Sequence, residues 1–218
     1  MMHSIKYVSK TFVLCFLITI MQSCISTNYK PVTLDSPAPS RSLTVKMCEA
    51  DIVGDPIELH EGQSCFALVR ANEWLSPSNL RVSKNQRYVV AVTQGQFWFD
   101  KDRRNTPDQG DEGSRTMNLF KAFKREQGLW FILTGATVEC TVKKETRREC
   151  DYASEKVLEK YRLQNDLGNF NGEITVRKDG YLAFYPNDAV LFGWRIFYKN
   201  NHGQVWLQIT RMIDVEHK

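Results

Sequence analysis

The chain of 218 residues carries 29 basic and 25 acidic side chains, a formal net charge of +4. This balance is too even for a polycation, and no basic stretch is interleaved with aromatic residues. Nucleic acid is therefore excluded as the expected partner. The chain contains only four histidines, which argues against an active site built on acid–base chemistry.

The first 23 residues have the pattern of a secretory signal peptide. Lys6 and Lys10 form a basic start, and Thr11–Met21 is an uncharged apolar run. A membrane-spanning helix needs roughly 20 apolar residues, so this run is too short to be one. Cleavage after residue 23 would remove two basic residues and no acid, which leaves 27 basic against 25 acidic residues and a net charge of +2.

The residues around this cleavage point resemble a bacterial lipobox. Met21-Gln22-Ser23-Cys24 has an apolar residue at −3, a small residue at −1 and a cysteine at +1, although Gln22 is unusual at −2. The resemblance implies that Cys24 carries lipid and anchors the exported protein to a bacterial membrane. Ile25, rather than Asp, follows the cysteine, which favours the outer membrane. Plain secretion, with Cys24 a spare thiol, is the alternative.

Residues 24–41 are predicted to be the lipidated cysteine and a flexible tether, because they are rich in Ser, Thr and Pro and show no apolar period. Cys15 lies in the signal, so four cysteines remain for the domain: Cys48, Cys65, Cys140 and Cys150. An even number in an oxidising compartment favours disulfides. Of three possible pairings we favour the local one, Cys48–Cys65 and Cys140–Cys150. A four-cysteine zinc site is the alternative, but no two cysteines have the close spacing of a zinc motif.

Residues 42–218 are predicted to form one all-β domain. Short runs with alternating or β-branched and aromatic residues are separated by Gly, Asn and Asp, which is typical of a sandwich. The predicted strands are Ser42–Cys48, Ser64–Arg70, Arg87–Thr93, Leu129–Leu133, Thr137–Val142, Glu173–Val176, Tyr181–Tyr185 and Gln204–Thr210. In the last of them, Val205, Leu207 and Ile209 share one face. The densely charged stretch 143–165 is predicted to be a partly helical insertion, because Val157, Leu158 and Tyr161 have helical spacing.

No catalytic motif is visible. The chain lacks a Gly-x-Ser-x-Gly elbow, a His-Glu-x-x-His zinc helix and a phosphate-binding glycine loop. The four domain cysteines are expected to be oxidised, so a thiol nucleophile is not expected. The protein is therefore predicted not to be an enzyme.

Three loop segments are rich in the oxygen-bearing side chains that calcium prefers. They are Asp102–Glu112, Asn187-Asp188 and Asn200–Gly203. One carboxylate and two adjacent amides could supply part of a calcium shell, and a vicinal diol of a ligand could supply two further oxygens. The alternative is that each segment is an ordinary turn, because Asn, Asp and Gly tolerate positive φ.

The order of these motifs resembles the bacterial calcium-dependent galactose-binding lectins of the PA-I galactophilic lectin type. The likeness covers about residues 70–211, and the motifs that carry it are Asn72-Glu73-Trp74, Gly95-Gln96-Phe97-Trp98, Asp102–Gly110, Tyr185–Asp188 and Tyr198–Gly203. The resemblance implies a jelly-roll-like β-sandwich, of the galactose-binding-domain kind.

The resemblance also implies a site. Calcium would be held by Asp188, Asn200 and Asn201, and the sugar would be contacted by Asp108, Gln109 and Asn187. The chain departs from the family pattern at Thr106, where the family has histidine. It also has a longer connection between Asp188 and Asn200, and no recognisable calcium-binding tyrosine after Trp98. Trp98, Trp194, Phe197 and Tyr198 are expected near the site, either as stacking surfaces for sugar or as core residues.

The function predicted from the sequence is therefore a membrane-anchored, lectin-like binding lipoprotein that holds a glycan or polyol through calcium. The alternative is a metal-free structural or protein-interaction lipoprotein of the bacterial envelope, in which Val190–Phe197 would form an exposed apolar patch.

Overall fold

The computed structural model describes residues 46–48, 55–101, 103–119, 121–142, 148–150, 157–165, 169–190 and 196–213. The predicted signal peptide 1–23, the lipidated Cys24 and the tether to residue 41 lie outside the described residues. Within the described ranges, no helix is both long enough and apolar enough to cross a bilayer.

The described chain consists mainly of short β-strands. They are β1 Lys46–Met47, β2 Ser64–Arg70, β3 Ser76–Val82, β4 Arg87–Val92, β5 Trp98–Asp100, β6 Arg103–Asn105, β7 Leu133–Val138, β8 Cys140–Val142, β9 Arg148–Cys150, β10 Val157–Arg162, β11 Glu173–Thr175, β12 Gly180–Pro186, β13 Asn201–His202 and β14 Gln204–Arg211. The described helices are one α-helix, Arg115–Leu119, and two 3-10 turns, Lys121–Phe123 and Ile196–Asn200. The prediction of an all-β fold is confirmed.

Two sheets form a sandwich. The five-stranded sheet has the order β1-β2-β14-β4-β11, and the four-stranded sheet has the order β10-β7-β12-β3. β14 lies between β2 and β4 and pairs antiparallel with both. The inner faces of the two sheets form one buried cluster, in which Leu207 and Ile209 of β14 meet residues such as Leu182 and Phe184 of β12.

The period-2 pattern of β14 explains this arrangement, because alternate side chains of a strand point to opposite faces. Val205, Leu207 and Ile209 are all fully buried, as predicted. The four-stranded sheet differs, because its outer face is also covered: Ala136 of β7 and Tyr185 of β12 belong to a second buried cluster. Strands that are buried on both faces lose the polar alternation of a half-exposed strand.

A disulfide between Cys48 and Cys65 joins the start of the domain to β2, as predicted; the two cysteines are 17 positions apart. Cys140 is also disulfide-bonded, and the register of β8 and β9 places it opposite Cys150. The Cys140–Cys150 pairing itself stays a prediction, because the side chain of Cys150 lies outside the described part of the structure.

Removing the first disulfide should destabilise the domain. A cross-link that closes a loop of this size lowers the entropy of the unfolded chain and stabilises by about 3 kcal/mol. We expect the double variant Cys48→Ala/Cys65→Ala to lose about that much free energy of unfolding in a urea titration. An unchanged midpoint would show that this bridge does not stabilise the fold.

The predicted helical insertion is wrong over its described part. Residues Val157–Arg162 form β10, which pairs antiparallel with β7, and Tyr161 lies opposite Gly135. Tyr161 is buried and its hydroxyl hydrogen-bonds Thr137, whereas Lys160 and Arg162 on either side are exposed. This is a period of two. The sheet edge offered by β7 therefore overrides the local helical spacing of three apolar residues.

Other segments also depart from the predicted strands. Thr137–Val142 is not one strand, because it is divided between the end of β7 and β8, which belong to different sheets. Leu129–Leu133 is not one strand, because Phe131 has φ 56° and only Leu133 belongs to β7. β3 was not predicted, since its sequence SPSNLRV contains Pro77 and little alternation. It is an edge strand of its sheet, where a proline is tolerated because one side of the strand makes no ladder hydrogen bonds.

Candidate functional site

A small sheet carries the predicted site residue Asn201 and a second acidic residue, Asp100. Its order is β13-β5-β6, and the register places Asn201 of β13 directly opposite Asp100 of β5. Trp98 attaches this sheet to the sandwich, because its ring is fully buried in the core cluster and its Nε1 donates to the carbonyl of Phe131 at 3.1 Å. Asp100 is therefore held in place by its strand and by the tryptophan two residues earlier.

Asp188 lies two residues after the end of β12 and is brought to the same place. The segment Phe123–Arg125 runs antiparallel to it, with the amide of Arg125 donating to the carbonyl of Asp188 at 2.9 Å. The carboxylate is buried. Its Oδ1 accepts from the amide of Ala189 at 2.6 Å, and its Oδ2 accepts from Nδ2 of Asn201 at 2.9 Å.

Four oxygen-bearing side chains thus form one contiguous cluster, which we call the oxygen cluster: Asp100, Asp188, Asn200 and Asn201. Nδ2 of Asn200 donates to Asp100 at 2.6 Å, and Nδ2 of Asn201 donates to Asp188 and, at 3.3 Å, to the carbonyl of Ala71. All three predicted calcium ligands are therefore brought together, although they are separated by up to thirteen positions in the chain.

One atom of the oxygen cluster lacks a partner. Oδ1 of Asn201 is buried and, among the described residues, accepts no hydrogen bond. A buried amide oxygen without a donor is costly, by about 1–3 kcal/mol, and such atoms are rare in folded proteins. A cation beside this oxygen would satisfy it.

The negative charges around Asp188 also favour a cation at this place. Burial and the neighbouring negative charge of Asp100 raise the pKa of Asp188 to about 7, against the lowering effect of the hydrogen bonds from Asn201 and Ala189. Two carboxylates in a buried place repel each other unless a proton or a cation lies between them. Within the described ranges, no three His, Cys, Asp or Glu side chains gather at a metal-binding distance. The oxygen cluster has two carboxylates and two amides, a donor set that suits a hard cation such as calcium.

Asn187, which was predicted to contact sugar, has a different environment. Its side chain is fully buried, its Nδ2 donates to the carbonyls of Glu126 and Leu129, each at 3.0 Å, and its Oδ1 accepts from the amide of Glu126 at 2.9 Å. Both amide hydrogens are used by the backbone. Asn187 therefore braces the loop beside Asp188, and no donor remains for a ligand.

We expect Asn187→Ala to lower the free energy of unfolding by about 2–4 kcal/mol, because it leaves several buried backbone groups without partners. The exposed Asn169 offers a matched control, and Asn169→Ala should change stability by less than about 0.5 kcal/mol. Urea unfolding of the two variants checks this. Equal stabilities would contradict the bracing role.

The predicted sugar-edge loop, Pro107–Gly110, forms a turn at the end of β6. The amide of Gly110 donates to the carbonyl of Thr106 at 2.9 Å, and Oγ1 of Thr106 donates to Oε1 of Gln109 at 3.2 Å. Gln109 is exposed and Asp108 is half-buried. Among the described contacts, the amide nitrogen of Gln109 makes no hydrogen bond, so it remains able to donate to a ligand.

The aromatic residues divide into core and surface. Trp98 and Tyr198 are buried, and the hydroxyl of Tyr198 donates to the carbonyl of Pro186 at 2.8 Å, so both are structural. Phe197 packs against the core, and Trp194 lies outside the described residues, as do most of the predicted apolar patch residues. A stacked pair was not predicted: the rings of Phe99 and His202 lie parallel, with centroids 4.7 Å apart.

Asp100 was also missed from the sequence. The family pattern directed attention to a tyrosine after Trp98, and the chain has none there. The sequence offered one signal for Asp100, its position two residues after Trp98, because residues at this spacing in a strand share one face. In the structure, Asp100 is followed by Lys101, which has a left-handed turn conformation with φ 56°. No family model, curated protein or solved structure matches this chain. The resemblance to the lectin family therefore stays a prediction, and the function has to be argued from the site.

Proposed function

We propose that this protein is a non-catalytic, calcium-dependent binding module for glycans or related polyols, carried on a lipid-anchored envelope protein. The observation that carries the proposal is Oδ1 of Asn201, which is buried and has no hydrogen-bond partner among the described residues, on a side chain whose Nδ2 donates to the carboxylate of Asp188. A cation bound here would satisfy this oxygen and would compensate the negative charge of the nearby carboxylates.

In this proposal Asp100, Asp188, Asn200 and Asn201 hold calcium. The ion takes six to eight oxygens, so four side chains and nearby carbonyls leave positions for a ligand. Two hydroxyls on neighbouring carbons of a sugar supply a pair of oxygens at chelating distance. The carboxylate pair provides the charge that balances the ion, and the amide oxygens complete the protein's share.

Two of the residues predicted to contact sugar complete the proposed site. The stacked rings of Phe99 and His202 do not belong to it, because side chains alternate along a strand and these rings therefore project to the face of the small sheet opposite Asp100 and Asn201. Gln109 and Asp108, on the loop after β6, would supply hydrogen bonds to further hydroxyls.

The fold type and the membrane anchor in this proposal follow the resemblances to the lectin family and to a lipobox. The sandwich is proposed to be of jelly-roll character, and the protein to be acylated at Cys24 and held at the outer membrane, with 24–41 as the tether. Two or more acyl chains would give stable anchoring.

A glycan array tests the ligand. We expect the purified protein to bind a subset of sugars with vicinal hydroxyls in calcium, and to lose that binding in excess EDTA. Asp188→Asn should abolish binding, whereas Asp55→Asn, at an exposed aspartate, should leave it unchanged. Glycan binding that persists in EDTA, or no glycan binding in calcium, would sink the proposal; the second result would favour the metal-free protein-interaction alternative.

A further inference from the structure

A cavity of about 340 Å³ lies on the outer face of the four-stranded sheet, and its lining residues include none of the four residues of the oxygen cluster. It is lined by the ends of β7 and β10 and by the loop that contains Glu126 and Gln127. A cavity of this size falls in the range of small-molecule sites, which is about 300–1,000 Å³, and would accept one sugar-sized ligand.

The register of the two strands sets the polar groups of this β7–β10 cavity side by side. Arg162 of β10 pairs directly with Thr134 of β7, and opposite residues of an antiparallel pair project from the same face. Lys160 lies two positions before Arg162 and therefore points to the same face. One wall of the cavity thus presents a guanidinium, an ammonium and a hydroxyl.

The charges in the cavity are not balanced. Lys160 forms an ion pair with Glu126 at 2.7 Å, and the hydroxyl of Tyr185 donates to the same carboxylate at 3.1 Å. The side chain of Arg162 makes no ion pair or hydrogen bond within the described part of the chain, nor does the side-chain amide of Gln127. The described lining of the cavity therefore carries one net positive charge, on a guanidinium that no described group engages.

We propose that the β7–β10 cavity binds a monoanionic sugar acid, with its carboxylate on Arg162 and its hydroxyls on Gln127 and Thr134. The planar guanidinium presents paired N–H donors that match a carboxylate, and such charge-assisted bidentate pairs are stronger than neutral hydrogen bonds. The amide and the hydroxyl can each donate and accept, as sugar hydroxyls require. This site does not use calcium and is independent of the oxygen cluster.

Calorimetry or two-dimensional NMR titration in excess EDTA tests this proposal on the full protein. D-glucuronate is the probe, D-glucose is the matched neutral sugar, and acetate is the matched carboxylate without hydroxyls. We expect saturable binding of glucuronate at least tenfold tighter than that of either control. Arg162→Gln should weaken glucuronate binding at least tenfold, whereas Arg115→Gln, at another exposed arginine, should leave it unchanged.

Three results would overturn the sugar-acid site. The first is no saturable binding of glucuronate at tens of millimolar. The second is an affinity for glucuronate equal to that for glucose or for acetate. The third is an unchanged affinity for glucuronate in a folded Arg162→Gln protein. Because calcium is absent throughout, each of these results leaves the calcium proposal standing.

Discussion

The metal-free protein is expected to lose about 3 kcal/mol of unfolding free energy as the pH rises from about 4 to about 7, through Asp188 alone. Below this range the carboxyl is protonated in both states. Within it, the unfolded chain releases the proton, while the folded protein retains it because the pKa of Asp188 is raised from 3.8 to about 7. The folded state then binds more protons, so its stability falls with rising pH until both states are ionised.

Asp188→Asn isolates this effect, because it keeps the shape of the side chain and removes the charge. Urea titrations in EDTA across the pH range should show the slope in the wild-type protein and a much flatter profile in the variant. Asp55→Asn, at an exposed position, should keep the wild-type slope. Equal slopes for the wild-type protein and Asp188→Asn would contradict the raised pKa of the buried Asp188 carboxyl.

The second large effect is expected at Trp98, which connects the oxygen cluster to the core. Its side chain is fully buried, and replacing a buried tryptophan by alanine costs about 3–5 kcal/mol. Asp100 lies two residues further along β5, so Trp98→Ala should also weaken calcium binding, although Trp98 holds no metal oxygen. Chemical unfolding and a calcium titration measure the two effects.

Trp98→Phe is the control for this prediction. It keeps much of the buried ring and loses the hydrogen bond from Nε1 to the carbonyl of Phe131. We expect a smaller loss of stability, about 1–2 kcal/mol, and near-normal calcium binding. If Trp98→Ala remained folded and bound calcium as tightly as the wild-type protein, Trp98 would not position Asp100.

The strands that could be predicted are those whose own residues favour a β-strand without help from a neighbouring strand. β14 has a period of two and β2 is a short apolar run with polar ends, and the bounds of both strands match the prediction closely. β10 was not predictable in this way, because its state depends on the edge of β7, which is distant in sequence. β3 was not predictable because Pro77 is a strand breaker except at a sheet edge, and edges are known only once the sheet order is known.

The site was predictable to the extent that motifs recur in a fixed order. Asp188, Asn200 and Asn201 were selected from two polar turns, and they do lie together. Asn187 was selected with them, but adjacent residues on a chain leaving a strand point in opposite directions, and Asn187 turns to the backbone of 126–129. Asp100 was missed because its partner across β5 and β13 is a matter of register, which the local sequence does not contain.

Calcium titration followed by thermal unfolding tests the oxygen cluster most directly. A ligand that binds only the native state at a hundredfold excess over its Kd stabilises by about 2.7 kcal/mol, which corresponds to a rise in Tm of about 5–10 °C for a domain of this size. We expect such a calcium-dependent rise in the wild-type protein and in Asp55→Asn, and none in Asp188→Asn. No rise in the wild-type protein at millimolar calcium, or an equal rise in Asp188→Asn, would contradict a calcium site at the oxygen cluster.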